Sequence, residues 1–316
     1  MNLPNLTAHW QLIIFIAFCV LSFIQLFYYL FFFSRLSFYK AKSSSTSQTH
    51  PVSVVICARD EARNISEHLP TVLEQDYPFT HEVLVVDDNS YDETKYILED
   101  LKKTHKQLQV ITLTQEAKVV PGKKFPLSIG IKSAKHEIVL LTDADCSPVS
   151  KKWIDSMQHV YDEKTEIVLG YGSFQKKSGM LNKLIRWETF HSALQYFSYA
   201  LAGVPYMGVG RNLSYTKTIF FRNKGFASHN NIPGGDDDLF VNNAATKHNT
   251  RINIDKDSFT VSKPASTWAQ WRIQKRRHYT TSKYYKKSHK FLLGLYSLSH
   301  FFYYPLFIAA CLWYNW

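Results

Sequence analysis

From Trp10 to Phe33 the chain carries no Asp, Glu, Lys or Arg. About 20 consecutive apolar residues suffice to cross a bilayer, and this run, rich in Leu, Ile and Phe, is long enough. A cleaved signal peptide would carry a positive segment before the run and an Ala-x-Ala-like site after it, and neither is present. Residues 1–36 are therefore expected to form an N-terminal transmembrane anchor. A second run without these charges, Phe291 to Trp316, is expected to be a C-terminal transmembrane helix. Ser297, Ser299, His300 and Pro305 make it less regular, so that it could also kink or lie partly in the interface.

The flanks of both runs agree on an orientation. Arg35, Lys40 and Lys42 follow the first, while Lys275, Arg276, Arg277, Lys283, Lys286, Lys287 and Lys290 precede the second. By the positive-inside rule residues 34–290 face the cytoplasm. The expectation is an integral protein of the plasma (inner) membrane. Much of the net charge of +11 is located in these flanks, which suits attraction to anionic lipid headgroups, and no motif points to nucleic acid. Cys19, Cys57, Cys146 and Cys311 form no C-x-x-C pair, so neither a disulfide framework nor a zinc site is implied.

Residues 37–50, rich in Ser and Thr, read as a linker, 51–265 as a folded domain, and 266–290 as a basic amphipathic segment resting on the membrane surface. Within the domain, short apolar runs alternate with helical patterns. Val52 to Cys57 precedes Glu61 to Gln75, Val83 to Val86 precedes Asp92 to Lys103, Leu108 to Leu113 precedes Lys124 to Ala134, and Ile138 to Leu141 precedes Lys151 to Tyr161. The second helix has capping-box spacing at Ser90 and Glu93. Strand and helix in strict alternation predict an α/β fold with a mainly parallel sheet covered on both faces. Such sheets bind ligands beyond the carboxyl ends of their strands.

Acidic residues stand just beyond those strands: Arg59-Asp60-Glu61 after the first, Asp87-Asp88 after the second, Asp143-Ala144-Asp145 after the fourth. Crowded carboxylates repel one another and take up protons unless a cation neutralises them. Oxygen ligands without a Cys/His cluster favour Mg²⁺ or Mn²⁺, ions that share the phosphates of a substrate. In an extended turn Asp143 and Asp145 point the same way, one suited to the metal, the other to a metal-bound water or a ribose.

Val52-Ser-Val-Val-Ile-Cys-Ala-Arg-Asp-Glu61, Val85-Val-Asp-Asp-Asn-Ser90 and Leu141-Thr-Asp-Ala-Asp145, in this order, resemble the nucleotide-binding half of the family 2 glycosyltransferases, over roughly residues 50–290. The resemblance implies a GT-A fold and transfer of a sugar from a nucleotide-sugar donor, usually a UDP-sugar, with inversion. It implies that Asp87 and Asp88, with Arg59 and Glu61, face the nucleoside and that Asp143 and Asp145 hold the metal on the diphosphate. Gly122-Lys123-Lys124 is similar to the family's short basic element near the donor, with Lys124 as the donor contact. Gln274-Lys-Arg-Arg277-His278 is similar to the Q-x-x-R-W signature of membrane synthases and ceramide glucosyltransferase relatives, with His278 in place of Trp. Gln274 and Arg277 would share a helix face and reach the diphosphate, and the ring of His278 would pack on the acceptor.

Gly234-Gly235-Asp236-Asp237-Asp238-Leu239 is the expected source of the general base. Alignment on Leu239 selects Asp236 and alignment on the glycines selects Asp237, while Gly235 stands where the family has an acidic residue. Gly208-Val-Gly-Arg-Asn-Leu lacks the third glycine of a dinucleotide fingerprint and reads as a floor under the acceptor, with Arg211 and Asn212 as contacts. The aromatic stretch Trp187 to Tyr199 reads as core helix. The implied acceptor is a lipid, a lipid-linked sugar or a cell-envelope glycan. Two alternatives are a processive polysaccharide synthase, which needs more membrane helices than two apolar runs supply, and a catalytically silent membrane scaffold.

Overall fold

A computed structural model describes residues 4–40, 50–114 and 122–313 of the chain. Most of the expected linker, residues 41–49, lies outside the described residues. The chain divides into two compact units, one made of Met1–Tyr39 and Lys286–Trp316, the other of Lys40–Tyr285.

The first unit pairs two long helices. The N-terminal one runs as α1 (Pro4–Tyr28), a π-helical stretch Tyr29–Phe33, and α2 (Ser34–Ser37). The C-terminal helix, α11 (Lys287–Trp313), continues through Pro305. It begins at Lys287, ahead of the expected residue 291. Spans of these helices, His9–Ser37 and Lys287–Leu312, are long and apolar enough to cross a membrane. They run antiparallel: Phe18 meets Tyr303 and Phe307, Gln25 meets Ser299, and Tyr28 OH donates to the Leu292 carbonyl at 2.6 Å. Two of the polar residues that interrupt the second run pair across the helices. Gln25 Nε2 donates to Ser299 Oγ at 2.7 Å, and the His300 ring approaches Gln25 Oε1 at 3.4 Å. Polar side chains in an apolar surrounding favour such cross-helix pairing. Phe23, Leu30 and Phe301, each more than 60% exposed, point outward.

The second unit holds, in chain order, β1 (Val52–Ala58), α3 (Ala62–Leu73), β2 (His81–Asp87), α4 (Thr94–Thr104), β3 (Leu108–Thr112), α5 (Lys124–Ser133), β4 (Ile138–Leu141), β5 (Cys146–Pro148), α6 (Trp153–Gln158), β6 (Ile167–Leu169), β7 (Gly172–Phe174), α7 (Met180–Leu201), β8 (Leu213–Thr216), α8 (Lys217–Arg222), α9 (Asp238–Ala244), β9 (Thr250–Ile252), β10 (Thr260–Ser262) and α10 (Trp268–Ser282). The large sheet has the order β3-β2-β1-β4-β8-β6-β9. The first four strands are parallel, and β8 runs antiparallel to both β4 and β6. A small sheet, β5-β10-β7, stands apart from it. The expected α/β, mainly parallel architecture is therefore present. β1 and β2 are buried on both faces because helices cover both, which is why their sequences read as continuous Val/Ile/Leu runs without alternation.

Register sets the functional rim. Ala58 pairs with Asp87, Asp87 with Thr112, and Val55 with Leu141, so β1, β2 and β4 release their chains at one edge. The capping box expected at Ser90 and Glu93 does not form. Asp92 is the acceptor instead, taking the Thr94 N–H at 3.0 Å and, from the neighbouring element, the Ala62 N–H at 3.0 Å. Ser90 Oγ is occupied by the Asp60 N–H. One carboxylate thus caps two helix starts and ties the first two rim loops together. The aromatic stretch lies in α7, whose Tyr196, Phe197 and Tyr199 are buried while Trp187 and Phe190 are exposed. α10 is a helix as expected but not an amphipathic one: Trp268, Ile273 and Tyr279 point to solvent among its basic residues, so no single apolar stripe exists.

Candidate functional site

The loops leaving β1 and β2 are knitted by hydrogen bonds that require unusual backbone. Asp60 (φ 54°) and Asn89 (φ 59°) both take the left-handed conformation, which Asn and Asp tolerate better than most residues. Asp60 Oδ1 then accepts the Tyr91 N–H at 2.7 Å. Asp87 is 1% exposed and accepts the Ser90 N–H, and Asp88 faces Arg59 at 3.8 Å. Glu61 lies close enough to Asp145 and Asp143 that burial and their charges push its carboxyl above the usual range, against the Asn64 amide that donates to it. Arg59, Glu61, Asp87 and Asp88 thus occupy adjoining loops at the rim.

Asp143 and Asp145 follow β4. Their carboxylate oxygens and Cys146 Sγ lie within 4.8 Å of one another. Burial pushes the Cys146 thiol well up, so it stays protonated, and it donates to Asp145 Oδ1 at 3.4 Å. The ligands this cluster offers are two hard carboxylates, which fit Mn²⁺ or Mg²⁺ and not a thiolate-bound metal. The two acids differ in environment. Burial raises Asp143, but the Lys123 ammonium paired with it more than offsets this, aided by Arg211 and Arg277, and leaves it below the usual range. Burial and the Asp143 charge raise Asp145.

Here the structure corrects one expectation. Lys124, as the first residue of α5, turns inward; it is 1% exposed and donates to the carbonyls of His229 and Ile232. It pins a loop and is not free for a donor. Lys123, one residue earlier at the helix cap, points to Asp143 and feels Asp236 as well. The Gly-Lys-Lys signal is visible in the sequence; which lysine faces the cleft depends on the phase of the helix start.

The triple acid resolves into three different positions at the start of α9. Asp237 is the N-cap: its Oδ1 accepts the Asp238 N–H at 2.7 Å and its Oδ2 the Gly210 N–H at 2.8 Å. Asp238 is buried and accepts from Tyr285 OH at 2.8 Å, Thr281 Oγ1 and the Leu239 N–H. Asp236 has no side-chain hydrogen bond to another residue among the described residues. Burial and the Asp237 charge push it up to about 6. The position before Asp236, where the resemblance leads to the expectation of an acid, is held in a conformation that favours glycine. Gly235 has φ +85°, and a Cβ there would come within 2.5 Å of Leu239 Cδ1, so a side chain would be strained and would have to displace Leu239.

Arg211 and Asn212 part company. Arg211 Nη1 donates to Ser173 O and Ser262 Oγ, each at 3.1 Å, and its guanidinium lies 4.2 Å from the Phe174 ring centre, yet its charge acts on both Asp143 and Asp145. Asn212 is fully buried. It accepts from Trp153 Nε1 at 3.1 Å and donates to Tyr171 O at 3.0 Å and Ser258 O at 2.7 Å. It is withdrawn from the acceptor contacts, since all its polar atoms are engaged in the core. Asn212→Ala should cost about 3 kcal/mol, because it orphans a buried indole N–H and two carbonyls. Thermal unfolding in detergent checks this, and an unchanged midpoint would restore a surface role.

Gln274, Arg277 and His278 all lie on α10, which is fixed to α7 by Glu188: Trp271 Nε1 donates to it at 3.3 Å and Lys275 Nζ lies 2.5 Å from it. Arg277 reaches the rim electrostatically through Asp143. His278 is exposed, and Gln274 is partly buried without a side-chain hydrogen bond among the described residues.

Residues 50–281 match a family profile described as "Glycosyltransferase like family 2". The glycosyltransferase AglE of Haloferax volcanii is 33% identical over 111 residues, 35% of this chain and 35% of its own. A beta-monoglucosyldiacylglycerol synthase of Nostoc sp. is 32% identical over 110 residues, 34% of this chain and 22% of its own. The chain thus covers well under half the length of these relatives. Among solved structures, the mannosyltransferase PcManGT of Pyrobaculum calidifontis, in complex with GDP-Man and Mn²⁺, superposes with a TM-score of 0.67 at 22% identity, over 95% of this chain and 85% of its own. That likeness establishes the fold.

Proposed function

Since the chain belongs to glycosyltransferase like family 2 and has the GT-A fold, we propose that it transfers a sugar from a nucleotide-sugar donor, with inversion, to a lipid or lipid-linked acceptor at the cytoplasmic face of a membrane. The observation that carries this reading is the ion pair of Lys123 with Asp143 beyond β4, with Asp236 also acting on Lys123, Arg211 and Arg277 on Asp143, and Asp143 on Asp145. The two apolar helices, the basic flanks and the diacylglycerol in the name of the Nostoc relative support the membrane setting.

In this reading Asp87 and Asp88, with Arg59 and Glu61, line the nucleoside pocket. Asp145 and Asp143 would hold Mn²⁺ or Mg²⁺, which when bound neutralises charge on the diphosphate. Lys123 and Arg277, with Gln274, approach the same diphosphate from the protein side. Asp236 takes the proton of an acceptor hydroxyl as that oxygen attacks the anomeric carbon. The bond from that carbon to the diphosphate breaks, and the nucleoside diphosphate leaves with the electron pair. Asp237 and Asp238 do not share this role, because both are held by hydrogen bonds: Asp237 positions the glycine loop and Asp238 secures α10. In the same reading Arg211 supports the rim and His278, exposed on α10, packs on the acceptor.

A base raised to about 6 has a visible pH signature. Only the carboxylate accepts a proton, so kcat/KM should be level above about pH 7 and fall about tenfold per unit below about pH 6. Initial transfer rates across this range check it; a rate that stays level down to pH 4.5 would remove Asp236 from the role.

A further inference from the structure

Resting on that reading, we propose that Lys124 is a positioning residue for the transfer step: its buried ammonium fixes the loop that carries Asp236, and so sets where the base stands relative to the Lys123–Asp143 pair.

The loop needs such a fixing point. Asp236 makes no side-chain hydrogen bond to another residue among the described residues, so the backbone on either side has to hold it in place. On the C-terminal side Asp237 does this, its carboxylate accepting the Gly210 and Asp238 N–H groups. On the N-terminal side Pro233 is followed by two glycines, Gly234 at φ +121° and Gly235 at φ +85°. Glycine has more conformational freedom to lose than any other residue, so a Gly-Gly pair leaves Asp236 loose unless the chain ahead of it is held. Lys124 holds that chain. Its Nζ donates to the carbonyl of Ile232, next to Pro233, and to that of His229 at 2.8 Å. The His229 carbonyl also accepts the Ile232 N–H at 3.1 Å, which closes the tie into a ring.

A neutral donor could serve two carbonyls, so the charge needs its own reason. Lys124 is 1% exposed, and a buried ammonium is costly unless opposite charge is near. Burial pulls its proton affinity below the ordinary lysine range, while the charges of Asp236 and Asp238 act to raise it. The ammonium and the acids therefore hold each other in place, and the tie is electrostatic as well as hydrogen-bonded. Lys124 is also the first residue of α5, and Lys123, the residue before it, pairs with Asp143. The helix is seated tightly on the sheet, since a Cβ at Gly130 would come within 2.6 Å of Val55 Cγ1. Two consecutive residues at one helix start thus reach Asp143 on one side and the base loop on the other. One fixed element sets the separation between the acid assigned to the metal and the acid assigned to the proton.

The test compares the full chain in nanodiscs with its Lys124→Met and Lys124→Gln variants, using a total lipid extract and the radiolabelled nucleotide sugar that labels it best. Working sites are counted by Mn²⁺-dependent binding of that nucleotide sugar, and turnover is expressed per counted site, so that a loss of folded protein alone leaves it unchanged. Lys124→Met, of similar length but without charge or N–H, should lower kcat per site about a hundredfold, the cost of a base displaced by about 1 Å, while donor Kd and KM stay within about twofold. Lys124→Gln, which can still donate to one carbonyl, should fall between the Met variant and the wild type, and it carries the test alone if the Met variant shows no donor-binding sites. Wild-type turnover per site in the variants would overturn the proposal. So would a loss of donor affinity in step with turnover, which would make Lys124 a donor contact. A wild-type chain that binds the donor but labels no lipid would instead overturn the transferase reading, and the role of Lys124 with it.

Discussion

Asp236→Asn is expected to lower the rate of sugar transfer by about a thousandfold while leaving nucleotide-sugar affinity within about twofold, the size of effect a positioned base supplies. The substitution keeps shape and removes only the ability to accept a proton. Because Asp236 makes no side-chain hydrogen bond to another residue among the described residues, the fold should not notice. Asp237→Asn provides the contrast. Its amide oxygen can still take one of the two N–H groups that Asp237 caps, so about 1 kcal/mol of stability should be lost and transfer should remain well above that of the Asp236 variant. Rates and donor binding measured side by side separate the two. If Asp237→Asn abolishes transfer and Asp236→Asn leaves it active, the base has been misassigned.

Asp145→Asn should weaken Mn²⁺ binding about a hundredfold or more, and with it the metal-dependent part of donor binding. Asp143 is already balanced by Lys123, whereas burial and the Asp143 charge both oppose ionisation of Asp145. A divalent cation relieves the second acid more than the first, so removing its charge removes most of what favours the ion there. Titration of Mn²⁺ by electron paramagnetic resonance, in the absence of any acceptor, reads this directly. An unchanged titration would take Asp145 out of the metal site.

Much of this architecture is legible in the amino-acid sequence. Continuous apolar runs buried on both faces announce the parallel strands, and the acids after β1, β2 and β4 announce the rim, because strand ends in such a sheet meet in space. The two uncharged runs announce the two long helices. The rest depends on angles that composition does not encode. Lys123 and Lys124 are adjacent and chemically identical, and the phase of the helix start decides that the first faces Asp143 and the second the loop at Ile232. Asn212 reads as a polar contact in the sequence because its partners Trp153, Tyr171 and Ser258 are all distant along the chain. Ser90 and Glu93 have the spacing of a capping box, but Asp92, in reach of two helix starts at once, takes that place. The triple acid is ambiguous for a related reason: only hydrogen bonds from Gly210 and Tyr285 distinguish its members.

The central claim, transfer of a sugar from a nucleotide donor, is tested most directly by incubating the full chain in nanodiscs with a panel of radiolabelled nucleotide sugars, Mn²⁺ and a total lipid extract, and counting label in the organic phase. One donor is expected to label the lipid phase, and chelating the metal or substituting Asp236→Asn is expected to abolish the labelling. A folded chain that binds a donor yet labels nothing, or labels equally well with Asn at position 236, would contradict it.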